Sequence, residues 1–406
     1  MSVRKRTWST KGVEHSGWQA DYVDAQGKRR RKMFDRKKDA DAFLLTAKSE
    51  VREGVHVADA DTITIAEAGK LWLKSGAAAG LERSSLEQRE QHLRLHIVPF
   101  AGATRLNKLT APWLRAFQDE LREAGRSADM VRRVTVSLGS IIADAQSRGL
   151  TVRNPVHERG RARSTTERRA KTKLQVGVDI PSPDEIRKFL TSLSGRWRPM
   201  LVTAVFTGMR SSELRGLVWD NVDLTAKTIR ISQRADDFNE IGRPKSAAGN
   251  RAISIPPVVV NTLREWKLVC PRRDTGRKDG DGNPMLALDL VFPTGAGKIE
   301  SRSNMLKRGL IPAMIAAGIT VDTGRTDEEG KPILSAKYSG LHALRHFYAS
   351  WCINPTDAGG LGLSPKAVQD RLGHSTIAMT MDTYGHLFPR GDEGDLLAAA
   401  ERSLLA

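Results

Sequence analysis

The chain has 406 residues, too many for one ordinary globular core, so two or three domains are expected. Hydrophobic residues make up 39% of it, enough for packed cores and against wholesale disorder, and no stretch has the roughly 18 uninterrupted apolar residues of a membrane span. The formal charge of +18 points to a polyanionic partner, because Lys and Arg gain affinity by displacing counterions from phosphates.

Charge alone does not separate a nucleic-acid enzyme from a generically basic soluble factor. The opening MSVRKRTWST has basic residues with no apolar stretch behind them, so it is not read as a secretory signal. Cys270 and Cys352 are too few and too far apart for a disulfide framework or a cysteine metal cage, and they fit a reducing cytoplasm.

Residues 1–58 read as a small sheet followed by a helix. Trp18, Ala20 and Tyr22 alternate as on a half-buried strand, Gly27 supplies a turn, and KRRRKMF is a strand carrying a run of positive charge. Asp35 is the expected N-cap of a helix burying Ala40, Phe43, Leu44, Ala47 and Val51. The basic strands have two readings, insertion into a DNA groove or a solvated edge that discourages aggregation.

From 62 to 155 the periodicity is helical. Ile65, Ala68 and Trp72 share a face, and Ser84 with Glu87 forms a capping box ahead of a helix containing Leu86, Leu93 and Ile97. That helix is expected to stop near Pro99 and Gly102. Leu114, Phe117 and Leu121 mark a third helix. Val131, Val134, Leu138, Ile141 and Ala145 mark a fourth, ending around Gly149 before the Asn154-Pro155 step. Residues 156–177 lack hydrophobic periodicity and read as a basic linker, lying along a phosphate backbone or serving as a plain tether.

Beyond residue 178, Ser182-Pro183-Asp184-Glu185 is a capping box with Pro at the first helical position, followed by the stripe Ile186, Phe189, Leu190. TGMRSSELRGLVW follows, in which Gly208 breaks an apolar helix and Arg210 opens a short one. An arginine at a helix start opposes the dipole, so a nearby anion or a salt bridge to Glu213 must answer it. TIRIS and RAISIP are strands with alternating Ile, and the polar stretch between them holds Lys245. No internal repeat is evident.

In LHALRHFYASW, residues 341–351, Leu341, Leu344, Tyr348 and Trp351 share one helix face. His342, Arg345, His346 and Ala349 share the other, read as polar. In SPKAVQDRLGH, Ser364 caps, Pro365 opens the helix, Val368 and Leu372 form its stripe and Gly373 ends it. His374 therefore stands just past a helix C-terminus, where positive charge on imidazole is favoured. Ten residues further on is Tyr384, one of four tyrosines.

In order, Arg210, Lys245, His342, Arg345, His374 and Tyr384 resemble the catalytic set of the tyrosine recombinase (phage integrase) family, of temperate-phage or genomic-island type. TGMRSSEL resembles that family's first arginine box and RPKSAAGNRAISIP its lysine-bearing hairpin. HALRH, LGH and the trailing tyrosine resemble its second box. Upstream, SSLEQREQHLRLHIVPFAG and the closing Arg153-Asn154-Pro155 resemble its core-site DNA-binding bundle, and residues 1–58 its arm-site domain. Segments 272–284 and 320–335, and the connection INPTDAGGLGLSP, are longer than usual and read as loop insertions.

The resemblance implies a multidomain, mainly α fold with small β-sheets. A three-stranded sheet plus helix over 1–58 would bind arm sites. A four-helix SAM-like core-binding bundle would cover 62–155 and a basic linker 156–177. A mixed α+β catalytic domain with a C-terminal tail helix would cover 178–406. The implied activity is site-specific recombination, integrating or excising a mobile element in the cytoplasm. The Tyr384 oxygen would attack a DNA phosphodiester to give a 3′-phosphotyrosyl link and a free 5′ hydroxyl. The covalent intermediate conserves bond energy, and no P-loop GxxxxGK[ST] occurs in the sequence.

In that reaction Arg210 and Arg345 would meet charge on the non-bridging oxygens with paired N–H donors, and His374 would be a third donor. His342 would accept the phenolic proton, Lys245 would protonate the departing 5′ oxygen, and Glu213 would orient Arg210 or His342. None of these roles needs a metal or other cofactor. The implied partners are double-stranded DNA at core and arm sites, further copies of the chain in a tetramer on DNA, an excisionase and a host DNA-bending protein. Leu396, Leu397, Ala400 and Leu404 stripe the terminal helix, which docks either in cis or on a neighbouring subunit. A type IB topoisomerase and a catalytically inactive DNA-binding regulator are the competing readings. The arm-like N-terminus opposes the first and the complete catalytic set opposes the second.

Overall fold

The computed structural model describes residues 1–10, 13–24, 27–53, 58, 61–160, 173–244, 246–279, 281–389 and 393–406. These fall into two compact units, Met1–Ala170 and Lys171–Ala406, both built mainly from helices with small antiparallel sheets.

The first unit begins with strands Ser2–Thr10, Val13–Val23 and Arg29–Phe34, the second in the middle. Ala20 and Tyr22 are buried on the face that the helix Lys37–Arg52 covers with Ala40 and Ala47, and Phe43 meets Tyr22 edge-on with ring centroids 5.4 Å apart. Asp35 is not the N-cap. The helix starts two residues later, with Arg36 in the cap position making no side-chain bond, and Asp39 supplies negative charge in the first turn.

The helices Ile65–Ala78, Arg83–His92, Ala111–Glu123 and Ala128–Ser147 then pack around one core, in which Trp72, Ile97, Phe117, Leu138 and Ile141 are buried. A capping box does occur here, between Thr64 and Glu67, while the expected one at Ser84 does not. The chain is already helical at Arg83, which places Ser84 inside the first turn and pairs Glu87 with Arg83 instead. The helix expected to stop near Pro99 and Gly102 does so, ending at Ala101. Leu93–Ile97 widens into a π-turn before Val98–Ala101, and the wider turn accommodates a ring that clashes with, and cannot donate to, an α-helical carbonyl.

Residues 156–160, expected to open the linker, lie in a helix, Pro155–Gly160. Asn154 fixes its start, donating to the Gly139 carbonyl at 2.9 Å and accepting from the Val156 amide at 3.2 Å. Residues 161–172, the middle of the expected linker, lie outside the described residues.

The second unit has its core among the helices Arg198–Thr207, Pro257–Val269 and His342–Ile353 and the sheet Val222–Asp223/Thr228–Ile231/Arg251–Ser254. The Ser182 capping box is present, with both reciprocal bonds. Arg198–Thr207 is apolar almost all round and ends at Gly208, whose φ of 59° and close approach to the Tyr348 ring, which leaves no room for a Cβ, both demand glycine.

The two segments expected as loop insertions are β-hairpins, Arg273–Lys278 with Pro284–Ala287 and Thr320–Thr326 with Pro332–Ala336. They are also a repeat: DTGRKDGDGNPML (274–286) recurs 48 residues on as DTGRTDEEGKPIL (322–334). The likeness extends to the bonds. Thr275 Oγ1 donates to the Met285 carbonyl at 2.8 Å, as Thr323 does to that of Ile333 at 2.7 Å. The Asp279 carboxylate accepts from the Asn283 amide at 2.8 Å, and that of Asp327 from the Lys331 amide at 2.8 Å. Gly276 and Gly324 both take left-handed φ, at 73° and 69°, and the register shifts beside each, as in a glycine bulge. Among the described residues no helix is long and apolar enough to cross a membrane.

Candidate active site

Two helices end in left-handed glycines, Gly208 and Gly373, and their terminal carbonyls build the floor of the site. Such carbonyls have no partner within their own helix and carry partial negative charge. Arg345, wholly buried, donates from Nη1 to the Gly208 carbonyl at 2.7 Å and from Nη2 to that of Leu372 at 2.6 Å. Arg210 donates from Nη2 to the Gly373 carbonyl at 3.2 Å. The helix face read as polar is therefore buried at Arg345. Burial, reinforced by Arg210 and opposed by Glu213, lowers its pKa to about 9, so it is still a cation at neutral pH.

Glu213 answers the arginine at the helix start. Its carboxylate accepts from Arg210 Nη1 at 2.8 Å and from the Arg210 amide at 2.9 Å, so the glutamate reaches back to cap an arginine that has no side-chain acceptor of its own. A second cation, Arg251, grips the same carboxylate with bonds of 3.1 and 3.0 Å, their side chains being 7% and 3% exposed. Burial pushes the pKa of Glu213 up, but Arg251 and then Arg210 outweigh it and hold the pKa below the usual carboxylate value. Arg251 was not among the residues expected. Its signal was present in RAISIP, where a charged residue opens a strand read only for its alternating Ile.

His374 follows Gly373 and is buried, with Nδ1 2.9 Å from Thr380 Oγ1 and its carbonyl accepting from Gln369 Nε2 at 3.1 Å. The expectation of a positively charged imidazole there is overturned. Burial lowers its pKa to about 4, and Arg345, Arg210 and Arg251 push the same way, which outweighs the helix end.

Tyr384 closes the helix Ile377–Tyr384 with its side chain 1% exposed. Its ring lies parallel to that of His374, 3° apart in plane with centroids 6.4 Å apart. Burial raises the phenol's pKa to about 12 against the pull of Arg345 and Arg210. Its hydroxyl is 2.7 Å from Nδ1 of His346, whose pKa burial, His342 and Arg345 lower to about 4. His342, expected to take the phenolic proton, is exposed and lies one turn back, its ring edge-on to that of His346 with centroids 4.6 Å apart. Partial burial, Arg345 and Arg210 lower its pKa also. The signal for His346 is its place one helical turn on from His342, on the face read as polar.

The remaining tyrosines of this unit are engaged elsewhere. Tyr338 donates to Glu185 at 2.9 Å, and Tyr348 accepts from Arg371 at 3.2 Å. A cleft of about 330 Å³ opens beside Arg210, lined also by Ser212, Arg234, Pro244, Ser246 and Ser375. Pro244 and Ser246 flank Lys245, which itself lies outside the described residues. Arg210 and Arg251 share the Glu213 carboxylate and Arg345 lies in its field, so one carboxylate faces three guanidinium groups and the cluster seeks an anion.

The sequence profile of the Phage integrase family matches residues 182–390, a span holding every residue named in this site. A tyrosine recombinase XerC-like protein of Caldanaerobacter subterraneus subsp. tengcongensis is 24% identical over 386 residues, covering 90% of each chain. The integrase of Mycobacterium phage D29 is 23% identical over 402 residues, covering 94% of this chain and 93% of the other. Among solved structures, the Tn1549 transposon integrase in complex with transposon right end DNA superposes with a TM-score of 0.59 at 20% identity, covering 85% of this chain and all of that one. A lambda integrase dimer bound to a COC′ core site gives 0.53 at 16% identity, covering 93% of both.

Proposed function

This chain belongs to the Phage integrase family and is a tyrosine recombinase, a site-specific enzyme that cuts and rejoins DNA, and we propose that it does so with Tyr384 as nucleophile. One observation carries the assignment. The Tyr384 phenol is sequestered from water beside an imidazole that can take its proton, in the field of Arg345 and Arg210.

Attack of the Tyr384 oxygen forms the O–P bond and expels the 5′ oxygen, leaving the 3′ end on the enzyme. Arg345, anchored by the Gly208 and Leu372 carbonyls, and Arg210, anchored by the Gly373 carbonyl and the Glu213 carboxylate, turn their remaining N–H donors to the non-bridging oxygens. Loss of one such donor commonly slows a reaction by about 10²–10³. Nδ1 of His374 pairs with Thr380 Oγ1, and in the tautomer in which Thr380 donates that bond, Nε2 carries the proton and serves as the third donor. Glu213 orients Arg210, and Lys245 protonates the 5′ oxygen. No metal or other cofactor is required. A topoisomerase IB or an inactive regulator is not favoured, since the relatives are recombinases and integrases.

The same reading divides the chain into an arm-site domain (1–58), a core-site bundle (62–155), a linker (156–177) and a catalytic domain (178–406). It places the enzyme in the cytoplasm on double-stranded DNA, assisted by an excisionase and a DNA-bending protein of the host. The terminal helix Glu393–Leu405 exposes Leu397 and Leu404, which supports docking onto a neighbouring subunit of a tetramer. The deciding experiment is Tyr384→Phe on nicked attachment-core DNA. Binding should persist and the covalent adduct on a denaturing gel should vanish. An adduct that persists transfers the role to another residue.

A further inference from the structure

We propose that His346, and not His342, takes the phenolic proton of Tyr384 as the tyrosine attacks. The inference rests on Tyr384 being the nucleophile and adds a catalytic residue outside the arginine, lysine and histidine set read from the sequence. A general base must reach the proton it removes, and His346 does so at 2.7 Å, through Nδ1. Tyr384 is sealed from solvent and sits at a helix end, so its proton needs a protein acceptor.

His346 is on a helix buried along most of its length, which fixes the imidazole against the hydroxyl. The charged and titratable groups facing it are His342 and Arg345 from its own helix, Tyr384 from the last helix of the site, and Asp179 from the segment before Ser182. Two of these disfavour an imidazolium and only Asp179 is a carboxylate, so before DNA arrives the proton stays on the phenol. A bound phosphodiester brings a negative charge among these groups and shifts that balance.

The step is then complete. The Tyr384 O–P bond forms, the phenolic proton passes to Nδ1 of His346, and the P–O5′ bond breaks with its electron pair leaving on the 5′ oxygen, which is protonated by the general acid. Rejoining reverses each transfer, His346 returning its proton to the tyrosine oxygen. His342, exposed and edge-on at 4.6 Å, offers the route by which that imidazole exchanges protons with water.

The test is single-turnover cleavage of nicked core-site DNA by the full chain carrying His346→Asn. The amide can hold the hydroxyl but cannot accept its proton. DNA binding should be unchanged and cleavage slower by about 10²–10⁴-fold, the usual worth of a general base. The residual rate should climb about tenfold per pH unit up to pH 9, because only pre-ionised phenolate then attacks. His346→Ala, with a cavity in place of the ring, should regain activity when imidazole is added, and His342→Ala should be slowed less than either. Cleavage by His346→Asn within threefold of the unaltered enzyme overturns the proposal. So does a folded, DNA-binding His346→Ala that imidazole does not rescue, which decides the matter if the asparagine variant is unstable. Tyr384→Phe is run beside them: an adduct surviving there defeats the nucleophile assignment, whereas normal cleavage by His346→Asn with no adduct from Tyr384→Phe defeats this inference alone.

Discussion

Glutamine at position 213 would keep the shape of the side chain and remove its charge. Arg251 would then be left with its side chain 7% exposed and no carboxylate opposite it, at the site of bonds now 3.0 and 3.1 Å long. Breaking one partner out of a buried pair costs about 3–5 kcal/mol. The Arg210 half of the cluster adds little, since that side chain is 36% exposed and water screens it. At about 1.4 kcal/mol per tenfold, amides that exchange only when the second unit opens should exchange roughly 10²–10³·⁵ faster. Hydrogen exchange read by mass spectrometry on peptides from His342–Ile353 measures this in the full chain. Because the folded pKa of Glu213 lies below its ordinary 4.5, its contribution is present above that pH and is lost as pH falls through the folded value. Unaltered and variant proteins should therefore converge in acid. The paired change Glu213→Leu with Arg251→Met, which removes both members of the buried pair, should be less destabilised than Glu213→Gln alone. Acceleration of less than tenfold in Glu213→Gln would refute the reasoning.

Gly208→Ala should destabilise the second unit by about 2–5 kcal/mol, from a left-handed φ plus overlap with Tyr348, and should reduce cleavage beyond the loss of folded protein because the Gly208 carbonyl holds Arg345. A melting temperature unchanged to within a degree argues against it. His346 and His374 are neutral in the fold down to about pH 4, so stability should be full above pH 6.5 and fall as pH drops from there toward 4. The slope should approach two protons, about 2.7 kcal/mol per pH unit, in denaturant titrations across that window. Lys245→Ala should be severely slowed on normal DNA and largely restored on a 5′-bridging phosphorothiolate, whose thiolate leaves without an acid, whereas Arg210→Ala should gain much less; equal rescue would dissolve that division of roles. A chain starting at Asp61 should cleave core sites, lose arm-site binding and bind DNA with a shallower salt dependence, and undiminished arm binding would reassign residues 1–58.

Periodicity made the helices of both units legible, because a buried stripe such as Leu114, Phe117 and Leu121 leaves a 3.6-residue trace in any window. Caps were legible where the residue had one role to play: Ser182 and Gly373 stand where expected, but Ser84 and Asp35 lost to neighbours one or two residues away, a shift propensity cannot resolve. The site was legible as residue types and not as a circuit. Arg345 and His346 looked alike on a helical wheel, and only tertiary contact shows one bonded to two carbonyls and the other to the phenol. The charge of His374 was misjudged because the helix end is local, while the three guanidinium groups around it come from distant parts of the chain. The repeated hairpins escaped because their strands lack an apolar face, and their conformation is set by glycine and by short Asp and Thr bonds to the backbone.

Those hairpins also give the molecule valency. A ligand that grips the Asp-Thr-Gly-Arg bulge at 274–277 finds an equivalent foothold at 322–325 on the same chain. Once one end of a two-headed binder is attached, its second contact forms at an effective concentration set by the span between the bulges, so avidity rises without any new chemistry.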